Sequence, residues 1–466
     1  MKKKHRRQRK LIGILLALVV VASAIIYRPV LLDWWMAFQP VRYSPLKLGD
    51  RILIAAPHPD DETIATGGVI QRSLRQGKRV IVVWMTTGDG YRLAVERDFG
   101  ILRPLPVNYR ELGLLRHRET LRAGHRLGLK NGEMLFLGFP DGGTRALWSD
   151  HWDFTRPYHA LNGSAKVPYS FAYAPGVPYC GEQAVREWVE LIRRYHPTDV
   201  FYPDPNDNHP DHWGTGAFVQ YVLAQLRMPV KEWTYLVHRG DYPQPWLYDP
   251  YLKLHPPYLF HNEGTKWVEE QVDQREEIQK NAALHQYASQ EKVLGWFLES
   301  FIRKNEVFGQ YPKPYIQMIR GGIGGGKWLF RDPENGVWHR WLHPDGDIEQ
   351  VGMVDDTRKL WFGLKTAGPI SQRMGYSIHA RLFAANGVRR LDWTVSEGRL
   401  HAERWAANSL SLPKGTLVRI HGNQMWVGVP RFLFRGVDKI FLSADSVEGG
   451  RKIDRTGWRM ARYRGR

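Results

Sequence analysis

The chain of 466 residues reads as an α/β protein with a β-rich domain at its C-terminal end. Three observations carry that reading. Continuous apolar runs such as Ile52–Ile54 and Val80–Met85 suit parallel strands covered on both faces. Stretches with helical spacing alternate with these runs from Arg51 to about residue 320, the pattern of a Rossmann-like, mostly parallel sheet. After Gly321 the runs turn short, alternating and punctuated by turn residues, which suits a sandwich-like β domain.

Ahead of the sheet stand a basic block, Met1–Lys10, and an uncharged apolar run of 17 residues, Leu11–Tyr27. A bilayer-spanning helix needs about 17–25 apolar residues, and Trp34 and Trp35 follow at an interfacial depth. Residues 1–28 are therefore expected to form a basic N-terminus and a transmembrane helix, with residues 29–50 as a linker. The small residues Ala22, Ser23 and Ala24 leave a cleaved signal peptide as the alternative. Because a basic flank stays cytoplasmic, the expected location is the inner (cytoplasmic) membrane, single-pass, with the catalytic domain on the non-cytoplasmic side.

Within residues 51–320 each element has its own signal. Thr63–Gln76 has the composition of a helix, and Gly77 stands where a C-terminal cap belongs. Val80–Met85 is the second strand, a helix follows near Leu114–Leu127, and Met134–Phe139 is the third strand. Residues 148–181 are aromatic, punctuated by Pro and Gly, and too long for an ordinary connection. They are expected to be an insertion over the rim of the site. Val185, Trp188, Val189 and Ile192 form the apolar stripe of a surface helix over Glu182–Tyr195. A strand at Asp199–Tyr202, a helix over Gly214–Leu226 and a strand over Trp233–Val237 follow, and Thr265–Tyr287 suggests one long charged helix. Residues 321–466 are expected to be the β-rich accessory domain. Its strand signals are Ser377–Phe383, Leu391–Val395, Leu417–Ile420, Met425–Val429 and Ile440–Ser443. The glycine-dense run Gly321–Gly326 lacks the spacing of a phosphate-binding loop and is expected to be a linker or turn.

Composition narrows the function. The net charge is +19, and seven Lys and Arg in the first ten residues leave +12 on the remainder. Such a surface favours phospholipid or an anionic glycan. No nucleic-acid-binding motif is visible, and no nucleic-acid partner is expected. A single cysteine, Cys180, excludes an intramolecular disulfide and a cysteine-built zinc site.

The residues that carry chemistry stand after two strands. His58, Pro59, Asp60, Asp61 and Glu62 follow the first; His209, Pro210, Asp211 and His212 follow the strand at Asp199–Tyr202. Open α/β sheets bind ligands beyond the carboxyl ends of such strands. A hydrophobic strand has no packing use for so many groups that are costly to desolvate. Imidazole and carboxylate together suit a zinc ion that keeps one position open for water. Taken singly, Asp61 would more simply be a helix cap.

These two motifs resemble those of the LmbE-like (PIG-L) family of metal-dependent N-acetylglucosamine deacetylases. The resemblance extends over roughly Arg51–Glu299, with Thr86–Gly88, Arg116–Glu119, Gly138–Gly142 and Tyr287–Gln290 matching its lesser motifs. It implies that His58, Asp61 and His212 hold one Zn²⁺, a set that Fe²⁺ also accepts. It implies Asp60 as general base and His209 as oxyanion stabiliser or acid, and it places Arg116 and Asp141 against the sugar. Asp211 is better placed to orient a histidine, and Glu62 is most simply a first-turn residue that suits the helix dipole. Trp148, Trp152, Tyr158 and Tyr169 could equally stack on sugar rings or form a small core.

The function expected on these grounds is a zinc-dependent hydrolase that removes N-acetyl groups from N-acetylglucosamine-type sugars of a cell-envelope glycan or glycolipid. One alternative is an amidase or deacetylase acting on a small N-acetylglucosamine-linked thiol or antibiotic precursor. The other is a non-catalytic, membrane-tethered glycan-binding protein, against which the intact ligand set argues.

Overall fold

The structure is a computed structural model that describes residues 27–40, 42–260, 263–319, 328–333, 337–405 and 413–464, together with 16, 19–21, 23, 24 and 323. Its first sheet contains β1 (Ser44–Pro45), β2 (Arg51–Ala56), β3 (Arg79–Thr86), β4 (Met134–Phe139), β5 (Asp199–Pro203), β6 (Lys231–Tyr235), β7 (Lys266–Gln271) and β8 (Asn305–Gln310). The spatial order is β1-β7-β8-β6-β5-β2-β3-β4. From β6 to β4 all neighbours are parallel, and β8 runs antiparallel to both β6 and β7. Leu53 of β2 lies between Ile81 and Val200, and Ile54 between Val82 and Phe201. These residues are fully or almost fully buried, as continuous apolar strands should be when helices cover both faces. The chain winds outward from β2 through β3 to β4, then returns to place β5 on the other flank of β2. That reversal opens a crevice at the carboxyl ends of β2 and β5.

Several elements differ from the sequence reading. Thr265–Tyr287 is not one helix: Lys266–Gln271 is strand β7, and helices span Gln274–Leu284 and Ala288–Glu299. Asp273 starts the first of these helices through a reciprocal cap with Glu276, so the break has a local cause. The helix expected near Leu114 begins earlier, at Pro106, where proline suits the first turn. The helix expected from Gly214 begins at Pro210, so the second motif forms its first turn and is not a loop. In the stretch expected as a linker, helix Arg28–Ala37 exposes Leu31, Trp34, Trp35 and Phe38, and β1 pairs with β7. The apolar run Leu11–Tyr27 lies mostly outside the described residues. Among the described residues, no helix is long and apolar enough to cross a membrane.

The C-terminal part begins with β9 (Gln317–Met318), β10 (Trp328–Arg331), β11 (Ile348–Asp355), β12 (Lys359–Thr366), β13 (Met374–Ala384) and β14 (Gly387–Ser396). It continues with β15 (Arg399–Trp405), β16 (Leu417–His421), β17 (Gln424–Pro430), β18 (Val437–Glu448), β19 (Arg451–Arg455) and β20 (Arg459–Arg462). Two antiparallel sheets result, β10-β11-β12-β17-β16 and β15-β14-β13-β18-β19, with β9 on β11 and β20 on β18. Phe362 of one sheet meets Trp393 of the other edge-on, and Leu364, Ile378, Val427 and Leu442 fill the space between them. The glycine run at 321–326 falls outside the described residues except for Ile323.

The sandwich docks on the α/β part through shared apolar packing. Phe383, Phe441, Trp458 and Met460 join one buried cluster with Trp148, Trp152 and Phe218. Trp148 meets Trp458 at 5.2 Å and Phe218 at 5.0 Å between ring centroids, both edge to face. Trp148, Trp152 and Tyr169 are thus core residues, while Tyr158 is only partly buried.

Behind the crevice a buried ion pair anchors the helix Asp61–Arg75. Glu306 Oε1 accepts from Lys280 Nζ (2.8 Å) and Gly68 N (2.7 Å), while its Oε2 accepts from Val69 N (3.0 Å). Both side chains are fully buried. Removing one partner strands the other charge, so Glu306→Ala should lower the unfolding free energy by about 3–5 kcal/mol. The double replacement Lys280→Met with Glu306→Leu should cost clearly less. Urea denaturation of the three proteins checks this, and equal losses would show that the pair is not what secures the helix.

Candidate active site

The first half of the site is a turn between β2 and the helix Asp61–Arg75. Pro57 O accepts from Thr86 N (3.0 Å) and Thr86 Oγ1 (2.9 Å), which ties the turn to β3. Asp61 folds back so that its Oδ2 accepts the His58 N–H at 2.9 Å. Between them Asp60 takes φ = 111°, a backbone region costly for a residue with a side chain. That strain is held by two buried groups. Glu62 Oε2 accepts from Asp60 N, and the Arg116 guanidinium donates to Pro59 O (2.6 Å), Gly88 O (3.0 Å) and Asp60 Oδ2 (3.1 Å).

The second half comes from β5. Asp207, fully buried, accepts the N–H groups of His209, Val237 and His238 and so fixes the turn after the strand. His209 caps the helix Pro210–Leu226, its Nδ1 accepting from Asp211 N at 3.2 Å. His212 follows in the first turn, fully buried.

Because β2 and β5 are neighbours, the two halves meet. His58 Nδ1 lies 3.3 Å from Asp61 Oδ2 and 3.3 Å from His212 Nε2, and His212 Nε2 lies 3.2 Å from Asp61 Oδ2. Donors about 2.0–2.1 Å from a tetrahedral ion stand about 3.3–3.4 Å apart, so this triangle has the edge length of one face of a zinc-sized site. The other Asp61 oxygen, Oδ1, is buried and has no hydrogen-bond partner among the described residues.

The far nitrogens of both rings face carboxylates. His212 Nδ1 is 3.2 Å from Asp207 Oδ2, and His58 Nε2 is 3.2 Å from both Asp211 Oδ2 and Asp141 Oδ1. A carboxylate there favours the ring N–H on the far nitrogen, which leaves the lone pair on the near nitrogen, facing the triangle. The donor set therefore fits a divalent cation. The charge balance agrees with it: burial opposes a positive His212, yet Asp207 and Asp61 outweigh burial and hold its pKa up to about 9. Asp61, Asp141 and Asp207 are likewise held below the usual carboxylate range against their own burial, chiefly by the facing histidines.

Asp60 and His209 have different surroundings. Burial pushes the Asp60 carboxyl up to about 8, with Arg116 pulling the other way. A carboxyl in that range can hold or release a proton near neutrality. His209 is pushed down to about 4 by burial and by His58, so it is neutral at pH 7. Its ring lies 4.8 Å from that of His58 and 5.2 Å from that of His212, and the three histidines also form a group able to share one ion. Arg116 and Asp141, the residues matched to sugar contact, are both engaged inside the protein. Arg116 holds the Asp60 turn, and Asp141 Oδ2 accepts from Gly90 N at 2.9 Å.

Sequence reasoning missed three participants. Asp207 stands two residues before His209, a spacing that an Asx turn could have signalled. His238 arrives from the end of β6 with its ring 4.6 Å from that of His212, and no local signal marks it. Glu62 is not a solvated first-turn residue. It is fully buried and accepts from Trp84 Nε1 (2.9 Å), Tyr287 OH, Thr63 Oγ1 and Asp60 N.

Fold and site together define a mostly parallel α/β sheet with a cation-ready triangle of donors at its carboxyl edge and the Asp60 carboxylate beside it. Residues 53–223 match the family described as PIG-L: GlcNAc-PI de-N-acetylase. The chain contains a domain of the PIG-L (LmbE-like) family. It is 28% identical over 271 residues to a 1D-myo-inositol 2-acetamido-2-deoxy-alpha-D-glucopyranoside deacetylase of Mycobacterium sp. (strain KMS), covering 54% of this chain and 78% of that protein. It is 26% identical over 170 residues to the diacetylchitobiose deacetylase of Thermococcus kodakarensis, covering 36% of this chain and 46% of that protein. Among solved structures, the A40926 pseudoaglycone deacetylase Dbv21 aligns with a TM-score of 0.37 and 18% identity, over 56% of this chain and 96% of that one. The protein is a hydrolytic N-deacetylase.

The Glu62 carboxylate is the buried support on which Asp60 rests, and all its partners are donors. Glu62→Gln keeps the shape but turns an NH₂ toward them, so it should lower stability by about 1–3 kcal/mol. Activity should fall with it, since Asp60 N loses its acceptor. Chemical denaturation and turnover measured together check this; an unchanged midpoint would show that Glu62 is protonated there and already donates.

Proposed function

We propose that the protein removes the N-acetyl group from N-acetylglucosamine-type sugars of a cell-envelope glycan or glycolipid, with one divalent ion held by His58, Asp61 and His212. Zinc is the first choice and Fe²⁺ the alternative, since imidazole and carboxylate suit both. The observation that carries this reading is the triangle of 3.2–3.3 Å between the three donor atoms, with Asp60 beside it and free of it. The two relatives described above are named for substrates that are glycosides of N-acetylated glucosamine, which supports the substrate class.

A divalent ion in this place supplies Lewis acidity, polarising an amide carbonyl and easing the deprotonation of water. The chain's own residues supply the rest. Asp60 accepts the proton of the attacking water and returns it to the departing amine nitrogen. Neutral His209 has Nδ1 occupied by the Asp211 N–H, which leaves its proton on Nε2 to steady the oxyanion. Arg116 fixes the Asp60 carboxylate in direction, and Asp211 with Asp141 fixes His58. Contact of Arg116 and Asp141 with the sugar belongs to this proposal as well, through atoms beyond those internal bonds.

The proposal is tested by acetate release from N-acetylglucosamine and its oligomers. Chelation or His212→Ala should abolish release and lower bound metal together. Asp60→Asn should keep the metal and lose a factor of order 10² or more in turnover. Loss of metal in Asp60→Asn would instead make Asp60 a ligand.

The proposed location is the inner membrane, with the catalytic domain on the non-cytoplasmic side. It rests on the basic block Met1–Lys10 ahead of the apolar run. A reporter fused after Arg466 should be active only outside the cytoplasm. Activity confined to the cytoplasm would remove both the anchor and the envelope substrate from the proposal.

A further inference from the structure

Where the sandwich meets the α/β part there is a cavity of about 430 Å³. That volume lies within the range of about 300–1,000 Å³ usual for small-ligand sites. Its walls come from both sides of the junction, with Trp148 and Trp213 from the α/β part and His379, Arg381, Asp392 and Asp445 from the sandwich. It is separate from the donor triangle but built on the same elements. Trp213 directly follows His212, and Arg145 on the rim directly follows Thr144, whose N–H binds Asp211.

The lining carries surplus positive charge. Five lysine and arginine side chains face three carboxylates. Two of those carboxylates are already shared among several cations. Asp392 Oδ1 accepts from Arg381 Nη1 (2.9 Å) and pairs with His379 Nδ1 (2.8 Å), while Asp445 Oδ2 pairs with His379 Nε2 (3.2 Å) and Lys452 Nζ (2.6 Å). Burial works against a charged His379, but the two aspartates prevail and hold its pKa up to about 9, so it adds a further charge at neutral pH.

The donors are also held in place. The Arg381 guanidinium lies 4.9 Å from the Trp458 ring centroid and 5.6 Å from that of Trp148, and Arg455 lies 4.4 Å from that of Trp213. Guanidinium groups laid against aromatic rings lose little freedom when they bind an oxyanion. Close behind the wall, the buried Arg381 Nε and Trp148 Nε1 have no hydrogen-bond partner among the described residues. Their residues are 2% and 1% exposed.

We propose that this cavity is a second binding site, for a sugar residue that bears a carboxylate or phosphate group. The assignment to a sugar, as one unit of the glycan whose neighbour is deacetylated, rests on the function proposed above. The anion preference rests on the cavity alone. Two linked sites hold an oligomer better than either does singly, and one that demands an acidic unit would select which acetylated residues reach the triangle.

The test is equilibrium titration of the full chain in detergent with D-glucuronate, D-glucose 6-phosphate, D-glucose and inorganic phosphate. One or both acidic sugars should bind saturably, at least tenfold more tightly than glucose and than inorganic phosphate. Which of the two binds distinguishes a carboxylate from a phosphate ligand. Lys452→Gln and Arg145→Glu, both exposed on the rim, should each weaken binding about tenfold. Arg381→Gln should weaken it further if the protein folds. Chelated protein and His212→Ala should bind as before. The proposal is overturned if neither acidic sugar binds, if inorganic phosphate binds equally well, or if the rim variants bind unchanged. Binding lost in His212→Ala but kept in the rim variants would place the ligand at the triangle and overturn it too. Because no turnover is read, a protein that deacetylates yet binds no acidic sugar refutes this inference and leaves the proposed function standing.

Discussion

Five aspartates and three histidines, all buried or nearly so, converge beyond the carboxyl ends of β2 and β5, and the surrounding loops are shaped by the need to satisfy them. A buried carboxylate without partners is costly by several kcal/mol. Backbone N–H groups offset that cost throughout. Asp207 takes three, Asp211 takes those of Gly142 and Thr144, Asp141 takes that of Gly90, and Asp61 takes that of His58. The turns after β2, β3, β4, β5 and β6 are therefore tied to one another through side chains as well as through backbone bonds such as Thr86 N to Pro57 O and Asn208 N to His238 O. Moving any one of them would strip a carboxylate of its donors, so the ligand geometry is as rigid as the sheet that carries it.

This arrangement divides the acids by task. Asp207, Asp211 and Asp141 face the far nitrogens of His58 and His212, and the lone pairs that result point at a common centre. Asp61 joins that centre. Asp60 stands apart because its φ of 111° aims it away from the helix, and Arg116 keeps it there. The strained residue is thus the one whose carboxylate the Arg116 guanidinium holds. The strain is sustained from behind by Glu62, and Glu62 in turn by Trp84 of β3 and Tyr287 between two helices.

Much of the site was legible because the ligands lie in two short motifs, each close after an apolar strand, and strand order follows from few alternatives once the segments alternate. His58, Asp60, Asp61, His209, Asp211 and His212 all stand where that logic puts them, around one crevice. Residues that act from elsewhere were not legible. His238 and Trp84, a partner of Glu62, meet the site only through tertiary packing, and nothing in their local sequence distinguishes them from ordinary core residues. The split of Thr265–Tyr287 failed for a different reason. Its charges suit a helix surface, but Val268 is buried in β7, which pairs with β1 on one side and β8 on the other, and the Asp273–Glu276 cap had to be weighed against the whole run.

The aromatic content of the insertion takes its meaning from the second domain. Trp148 and Trp152 alone would be an odd excess for a surface loop, and stacking on sugar would be a natural use for them. In the fold they are buried against Phe218 on one side and, through Trp148, against Phe441 and Trp458 on the other. The insertion is thereby the mortar between the catalytic part and the sandwich. Arg390 of the sandwich bonds to the carbonyls of Trp148 and Ser149, and Arg455 reaches the carbonyls of Pro205 and Asp207 in the turn that orients His212. A change in how the sandwich sits would be felt at Asp207, one hydrogen bond away from the triangle. The β-rich domain thus touches directly the turn that carries Asp207.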